Sequence, residues 1–131
     1  MGFIEPMLLL RTNKLPESGP WLYEPKLDGY RAVAYKTATK VHLRSRNNKD
    51  FATKYSAIVE PLAALPPETM IDGEVIAVDD AGRPSFNALE NYGATHSSLF
   101  YYVFDVMVLK GRDVMGEPLS VLVIQFVTIR R

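Results

Sequence analysis

Apolar and polar positions change their period several times along this chain, and each change marks a predicted element. Tyr30 to Thr37 alternates bulky residues with small or polar ones, which predicts a strand. Thr39 to Arg46 alternates as well, placing His42, Arg44 and Arg46 on one face and Val41, Leu43 and Ser45 on the other. From Thr53 to Leu65 the period lengthens. Tyr55, Ile58, Val59 and Leu62 then share one helical face, and Pro66-Pro67 ends the helix. Met70 to Val78 predicts a strand, Asp79-Asp80-Ala81-Gly82 a turn, and Ser85 to Asn91 a short helix capped by Ser85. Leu99 to Leu109 is a long β-rich run, and Trp21-Leu22-Tyr23 predicts a further short strand after Gly19-Pro20. No internal repeat, low-complexity stretch or linker interrupts the pattern. The expected class is α+β with mostly antiparallel strands.

Composition narrows the class without changing it. A chain of 131 residues with 47% hydrophobic and 23% charged residues suits a single globular domain. Cysteine is absent, which excludes disulfides and thiolate metal sites. Met1 to Arg11 has no basic leading region and carries Glu5 and Pro6, unlike a secretory signal. The run Val121 to Ile129 contains Gln125 and Thr128 and is too short to cross a bilayer. A cytoplasmic location with no membrane partner is therefore expected.

Charge is unevenly placed. The formal net charge is zero, yet Lys26 to Lys54 holds eight cations against Asp28 and Asp50. Such a basic segment on an otherwise acidic chain suits either a polyanion or an ordinary solvated face.

The residues that carry chemistry cluster first at Glu24-Pro25-Lys26-Leu27-Asp28-Gly29-Tyr30-Arg31. Lys26 offers an amine between two carboxylates, with a guanidinium five residues on. Arg31 is expected to lower the lysine pKa by charge repulsion and to hold a phosphate. An Asp-Gly pair between strands is also a strong hairpin signal, which would leave Lys26 a solvated residue beside a turn. Ser45-Arg46-Asn47-Asn48 ends the basic strand in a turn whose asparagines tolerate left-handed backbone. Its arginines suit a phosphate, although an Asn-rich surface turn is common.

Two further segments place polar groups among apolar ones. Ile71-Asp72-Gly73-Glu74-Val75-Ile76 sets two carboxylates in a hydrophobic strand, where each needs a partner such as a hard cation or a sugar hydroxyl. The competing view is a second Asp-Gly turn with Glu74 exposed. In Tyr101-Tyr102-Val103-Phe104-Asp105, Phe104 suits stacking on a base or simple core packing.

In this order the segments resemble the nucleotidyltransferase (adenylation) domain of ATP-dependent DNA ligases, of the bacterial non-homologous end-joining type. Arg83-Pro84-Ser85-Phe86 and Gly111-Arg112-Asp113 add to the likeness, which runs from about Pro6 to Leu119. It implies mostly antiparallel sheets of the ATP-grasp-like kind. It implies that Lys26 attacks ATP to give a lysine-AMP intermediate, with Glu24 near the adenine amino group, Arg31 on the ribose or phosphate side and Phe104 stacked on adenine. Glu74 would meet the ribose hydroxyl or, with Asp28, a magnesium ion. Arg46 and Arg44 would bind the 5′-phosphate of nicked or broken double-stranded DNA during repair.

The chain also departs from the family. Asn48 stands where glycine is usual, and residues 120–131 form an atypical apolar tail with no Lys-x-Lys segment anywhere in the 131 residues. The expectation is a domain over 1–119 incomplete at its C-terminus, without an oligonucleotide-binding domain. A truncated or frame-shifted product of that kind would be impaired alone, and its tail would cover a sheet edge or pair two chains into a dimer. A non-catalytic nucleotide- or DNA-binding module and an RNA ligase or capping-type nucleotidyltransferase stand as alternatives. The Pro-Ser-Phe segment and the Val-Phe-Asp strand favour DNA ligase over the latter.

Overall fold

The computed structural model describes residues 1–23, 26–94 and 97–118. Among them lie β1 (Tyr30–Lys36), β2 (Val41–Ser45), α1 (Ser56–Leu62), β3 (Thr69–Val78), α2 (Phe86–Glu90), β4 (Ser98–Leu109) and β5 (Arg112–Asp113). The strands form one five-stranded sheet in the order β2-β1-β3-β4-β5. Every neighbouring pair is antiparallel. The expected α+β class with antiparallel strands is what the chain adopts.

Strand alternation gives the sheet two unlike faces. On one, Ala32, Ala34, Leu43, Ile71, Val75, Ala77 and Val106 pack against Tyr55, which precedes α1, Ile58 and Leu62 from α1 and Leu89 from α2. On the other face Val33, Tyr35, Met70, Met107 and Val108 gather with Phe3 and Ile4 at one end. Toward the opposite end it carries Arg31, Asp72 and Glu74, in register with the neighbouring strands. One layer of helices thus covers the core face, while the leading segment meets the polar end of the other at Met7.

Both helices are short for identifiable reasons. The predicted helix over Thr53–Leu65 forms only at Ser56–Leu62, because the Asp50 carboxylate accepts from Ala52 N–H and Thr53 Oγ1 and bends the chain before it. Pro61 lies inside it, and the last turn tightens to i→i+3 bonds ending at Leu65. The helix at Phe86–Glu90 is capped as expected, with Ser85 Oγ accepting from Ala88 N–H at 3.1 Å.

One predicted strand is absent. Trp21-Leu22-Tyr23 carries no ladder and is exposed. Local bonds hold it instead: Trp21 Nε1 donates to Ser18 O at 3.0 Å and Tyr23 OH to Pro16 O at 2.5 Å. The expectations for Glu24 and for the tail of residues 120–131 lie outside the described residues. No described helix is long and apolar enough to cross a membrane.

Candidate nucleotide and phosphate site

Arg31 is the centre of the polar face. It lies in β1 opposite Glu74, two ladder positions from Val33, which faces Asp72. Its Nε donates to Asp72 Oδ1 at 2.8 Å and its Nη2 to Asp72 Oδ2 at 2.6 Å. A third bond runs from Nη2 to the Met7 carbonyl at 2.9 Å, tying the leading segment to the sheet. The guanidinium also lies over the Phe104 ring, 4.8 Å from its centroid. Asp72 is only 2% exposed, so its charge requires this partner. The partner of the buried carboxylate is therefore Arg31, and neither a cation nor a sugar hydroxyl is needed to explain it.

Neither Asp-Gly pair is a hairpin turn: Asp72-Gly73 lies within a strand, and Gly29 forms a bend just before one. Gly73 lies inside β3, and a Cβ there would meet Tyr102 O at 2.4 Å. Gly29 leads into β1, and a Cβ there would meet Val75 O at 2.1 Å. Close backbone approach explains both glycines, and it draws the Lys26–Asp28 segment against the end of β3.

Lys26 stands at the rim of this face. Its Nζ donates to Asp28 Oδ1 at 2.9 Å, and the side chain is 88% exposed. The expected pKa effect is reversed. The bond and charge of Asp28 raise the lysine above its ordinary value, while the Arg31 charge is neutralised by Asp72 and does not press on it. Glu74 lies within electrostatic reach of Lys26. Burial lifts the Glu74 carboxyl above the usual glutamate range, and Arg31, the Gly29 N–H and Lys26 pull it partly back.

Phe104 reaches the open face through an irregularity. Gly73 pairs with Val103 and Asp72 with Asp105, so Phe104 is an extra residue with no partner of its own. Asp105 is thereby set opposite Asp72. Burial raises its carboxyl, opposed by the Val106 N–H and assisted by the neighbouring Asp72 charge. Beneath the ladder Tyr101 donates to Ala32 O at 2.9 Å, and its burial pushes the phenol well above the ordinary range.

The basic turn divides its two arginines. Arg46 is exposed, whereas the Arg44 guanidinium bonds Asn48 and approaches Asp50. Asn48 has φ +60°, the left-handed conformation expected of it. Thus Arg31, Glu74 and Phe104 come together, Lys26 with Asp28 stands at their rim, and Arg44 with Arg46 lies on the far edge strand.

The family model for an ATP-dependent DNA ligase domain matches residues 6–122. The chain belongs to the ATP-dependent DNA ligase domain family. Among similar ligases, the multifunctional non-homologous end joining protein LigD of Pseudomonas aeruginosa is 34% identical over 108 residues, covering 80% of this chain and 13% of that protein. DNA ligase C1 of Mycolicibacterium smegmatis is 33% identical, covering 90% of this chain and 38% of that one. A prophage-derived DNA ligase-like protein LigB of Bacillus subtilis is 30% identical, with 90% and 44% covered. The chain therefore spans less than half the length of these relatives. A solved mycobacterial DNA ligase D, complexed with ATP and MES, superposes with a TM-score of 0.67 at 28% identity over 81% of this chain and 36% of that one.

Within this ligase domain the residues suit magnesium only as a shared site. No group of three or more acidic or histidine side chains that could hold a metal occurs among the described residues. Asp28 and Glu74 are within electrostatic reach of each other, and magnesium is commonly held by one or two carboxylates plus phosphate oxygens. The chemistry of the donor set fits an ion brought with a nucleotide.

Two site residues were missed as such. Asp72 was read as a carboxylate in need of a partner, but Arg31 lies forty-one positions away in sequence. Asp105 was read only as a neighbour of Phe104. Its place opposite Asp72 depends on the ladder irregularity, which sequence alternation does not announce.

Proposed function

We propose that this chain is the nucleotide-binding part of a DNA ligase adenylation domain that carries AMP on Lys26. The amine loses its proton and attacks the α-phosphorus of ATP, forming an N–P bond while the P–O bond to pyrophosphate breaks. AMP then passes to a DNA 5′-phosphate, and a 3′-hydroxyl displaces it as the strand is sealed. The observation that carries this reading is the meeting of Arg31, Glu74 and Phe104 on one open sheet face, with Lys26 at its rim. Such an arrangement supplies an acceptor for a sugar hydroxyl and an aromatic face for adenine, and it leaves a phosphate or ribose edge the Arg31 Nη1, which bonds neither Asp72 nor Met7.

Each residue has a part in this reading. Phe104 offers adenine the ring face opposite Arg31, and Glu24 meets the adenine amino group. Glu74 accepts from the ribose. Arg46 meets the 5′-phosphate of nicked or broken double-stranded DNA in cytoplasmic end-joining repair. Asp28 and Glu74 would hold magnesium, which when bound would supply charge neutralisation to the phosphoryl oxygens. Asp28 also bonds Lys26, and loss of that bond frees the amine to give up its proton.

The 131 residues contain no Lys-x-Lys pair, so this polypeptide tested alone lacks that source of cations and should adenylate slowly. The exposed, ion-paired amine favours one second reading, a nucleotide binder without covalent chemistry. Incubation with magnesium and α-labelled ATP, followed by mapping of the label by mass spectrometry, separates the two. Label on Lys26 from ATP but not GTP, lost in Lys26→Ala, is expected. ATP binding that Lys26→Ala leaves intact, without covalent label on the unmodified chain, would establish the second reading instead.

A further inference from the structure

The turn after β2 is built around Arg44 rather than Arg46. Arg44 Nε donates to Asn48 Oδ1 at 3.0 Å, its Nη2 donates to the Asn48 carbonyl, and its Nη1 lies 3.8 Å from Asp50 Oδ1. Three nitrogens of one guanidinium are thus directed at the loop that follows. Ser45 Oγ accepts from Asn47 N–H at 3.3 Å and from Lys49 N–H at 3.0 Å, and Asn48 N–H donates to Ser45 O at 2.9 Å. These bonds all run among Arg44, Ser45 and residues 47–50, and none uses Arg46, which is exposed at the tip.

We infer that Arg44 is a positioning residue, which locks the turn through Asn48 and Asp50 so that Arg46 alone presents its guanidinium to a DNA 5′-phosphate. The inference rests on the DNA reading of Arg46 given above. It revises the expectation that both arginines bind DNA. The Arg44 side chain is only 27% exposed, its fork is already occupied, and Asp50 beside it would repel a phosphate. The departure at position 48 has a role here. Asparagine keeps the left-handed backbone, at φ +60°, and adds a side-chain oxygen that glycine lacks. Arg46 therefore meets its ligand with less conformational freedom to lose.

A planar fork separates this role from simple charge. Lysine retains the cation but cannot bond Asn48 twice and face Asp50 together. The test compares binding of the 131-residue chain to nicked duplex DNA carrying either a 5′-phosphate or a 5′-hydroxyl at the nick. A ratio between two DNAs cancels any loss of folded protein. The unmodified chain should favour the phosphate by about tenfold, the scale of one charge-assisted contact. Arg46→Ala should abolish the preference. Arg44→Lys should abolish most of it despite the retained charge, and Asn48→Gly should weaken it. Adding Arg44→Lys to Arg46→Ala should change nothing further, because one acts through the other.

The outcomes divide cleanly. An Arg44→Lys chain that keeps the full preference, or losses that multiply in the double variant, would overturn the positioning role while leaving Arg46 as the phosphate contact. An unmodified chain that does not distinguish the two DNAs would overturn the Arg46 assignment itself.

Discussion

Asp72 and Arg31 meet through two parallel hydrogen bonds across the β1–β3 ladder, with their side chains 3% and 17% exposed. The pair is largely buried, bidentate and in contact with the Phe104 ring. Because Arg31 rests on Phe104, Asp72 indirectly settles where that ring lies. Replacing Asp72 by Asn removes the charge but keeps the shape, leaving a buried guanidinium without its counter-ion. Breaking a buried pair in this way costs roughly 3–5 kcal/mol. Urea denaturation of Asp72→Asn should show a loss of that order together with weaker ATP binding, and an unchanged midpoint would contradict the role given to the pair.

The two Asp-Gly glycines should respond alike despite their different places. A Cβ at Gly29 or Gly73 would collide with a carbonyl oxygen, at 2.1 Å and 2.4 Å. Backbone cannot yield as a flexible side chain does, so Gly29→Ala and Gly73→Ala should each destabilise by about 1–3 kcal/mol or more. Gly82 provides a contrast, with φ +76° and open space around its Cβ position. Gly82→Ala should cost only the backbone strain, about 1–2 kcal/mol. Equal midpoints for Gly73→Ala and the unmodified chain would refute the close-approach explanation.

Stability should fall as pH rises through the region just above the ordinary carboxylate range. Glu74 and Asp105 have raised values in the folded chain, both chiefly through burial. A raised carboxyl holds its proton more tightly folded than unfolded, so its contribution is complete at acid pH and lost as pH passes its folded value. Asp50 and Asp79 act oppositely. Their values are lowered, first by the Thr53 hydroxyl and the Arg83 N–H respectively, so their contribution disappears as pH falls below the ordinary range. Glu74→Gln should flatten the upper decline and leave the acid limb in place when urea midpoints are followed against pH. An unaltered upper limb would remove Glu74 as its cause.

The Lys26–Asp28 ion pair makes a kinetic prediction. Asp28 is the main reason the amine is held above its ordinary value. In Asp28→Asn the amine should lose its proton at lower pH, shifting the pH profile of self-adenylation toward acid even if the maximum falls with weaker magnesium binding. A single-turnover profile measured at saturating magnesium would reveal the shift. A profile unmoved by Asp28→Asn would mean that another group sets the limb.

Much of this fold was legible because local chemistry and tertiary packing agree. The Tyr30 and Val41 strands, the Met70 strand, the Asp79 turn and the Ser85 cap all appear where alternation, glycine and serine place them. Trp21-Leu22-Tyr23 failed because β-forming residues make no strand without a neighbouring ladder. The long helix failed at Asp50 and Pro61, whose local effects outweighed a good apolar face. At the site, the need of Asp72 for a partner was readable from its apolar neighbours. That the partner is Arg31 was not, because only the β1–β3 register reveals it. The lysine pKa follows Asp28, two residues on, because the Arg31 charge is taken up by Asp72 across the ladder.

The ladder irregularities in β4 act as phase changes in an otherwise two-beat rhythm. At the first, Phe104 and Asp105 follow one another onto the same side of the sheet, while Val103 and Val106 keep to the helix-packed side. At the second, Met107 and Val108 repeat the manoeuvre and close the floor against Phe3 and Ile4. One strand thereby sets a ring and an acid side by side on one face while still sealing the layer beneath. Removing Phe104 would restore plain alternation, with Val103, Asp105 and Val106 passing from side to side, the acid kept and the ring lost.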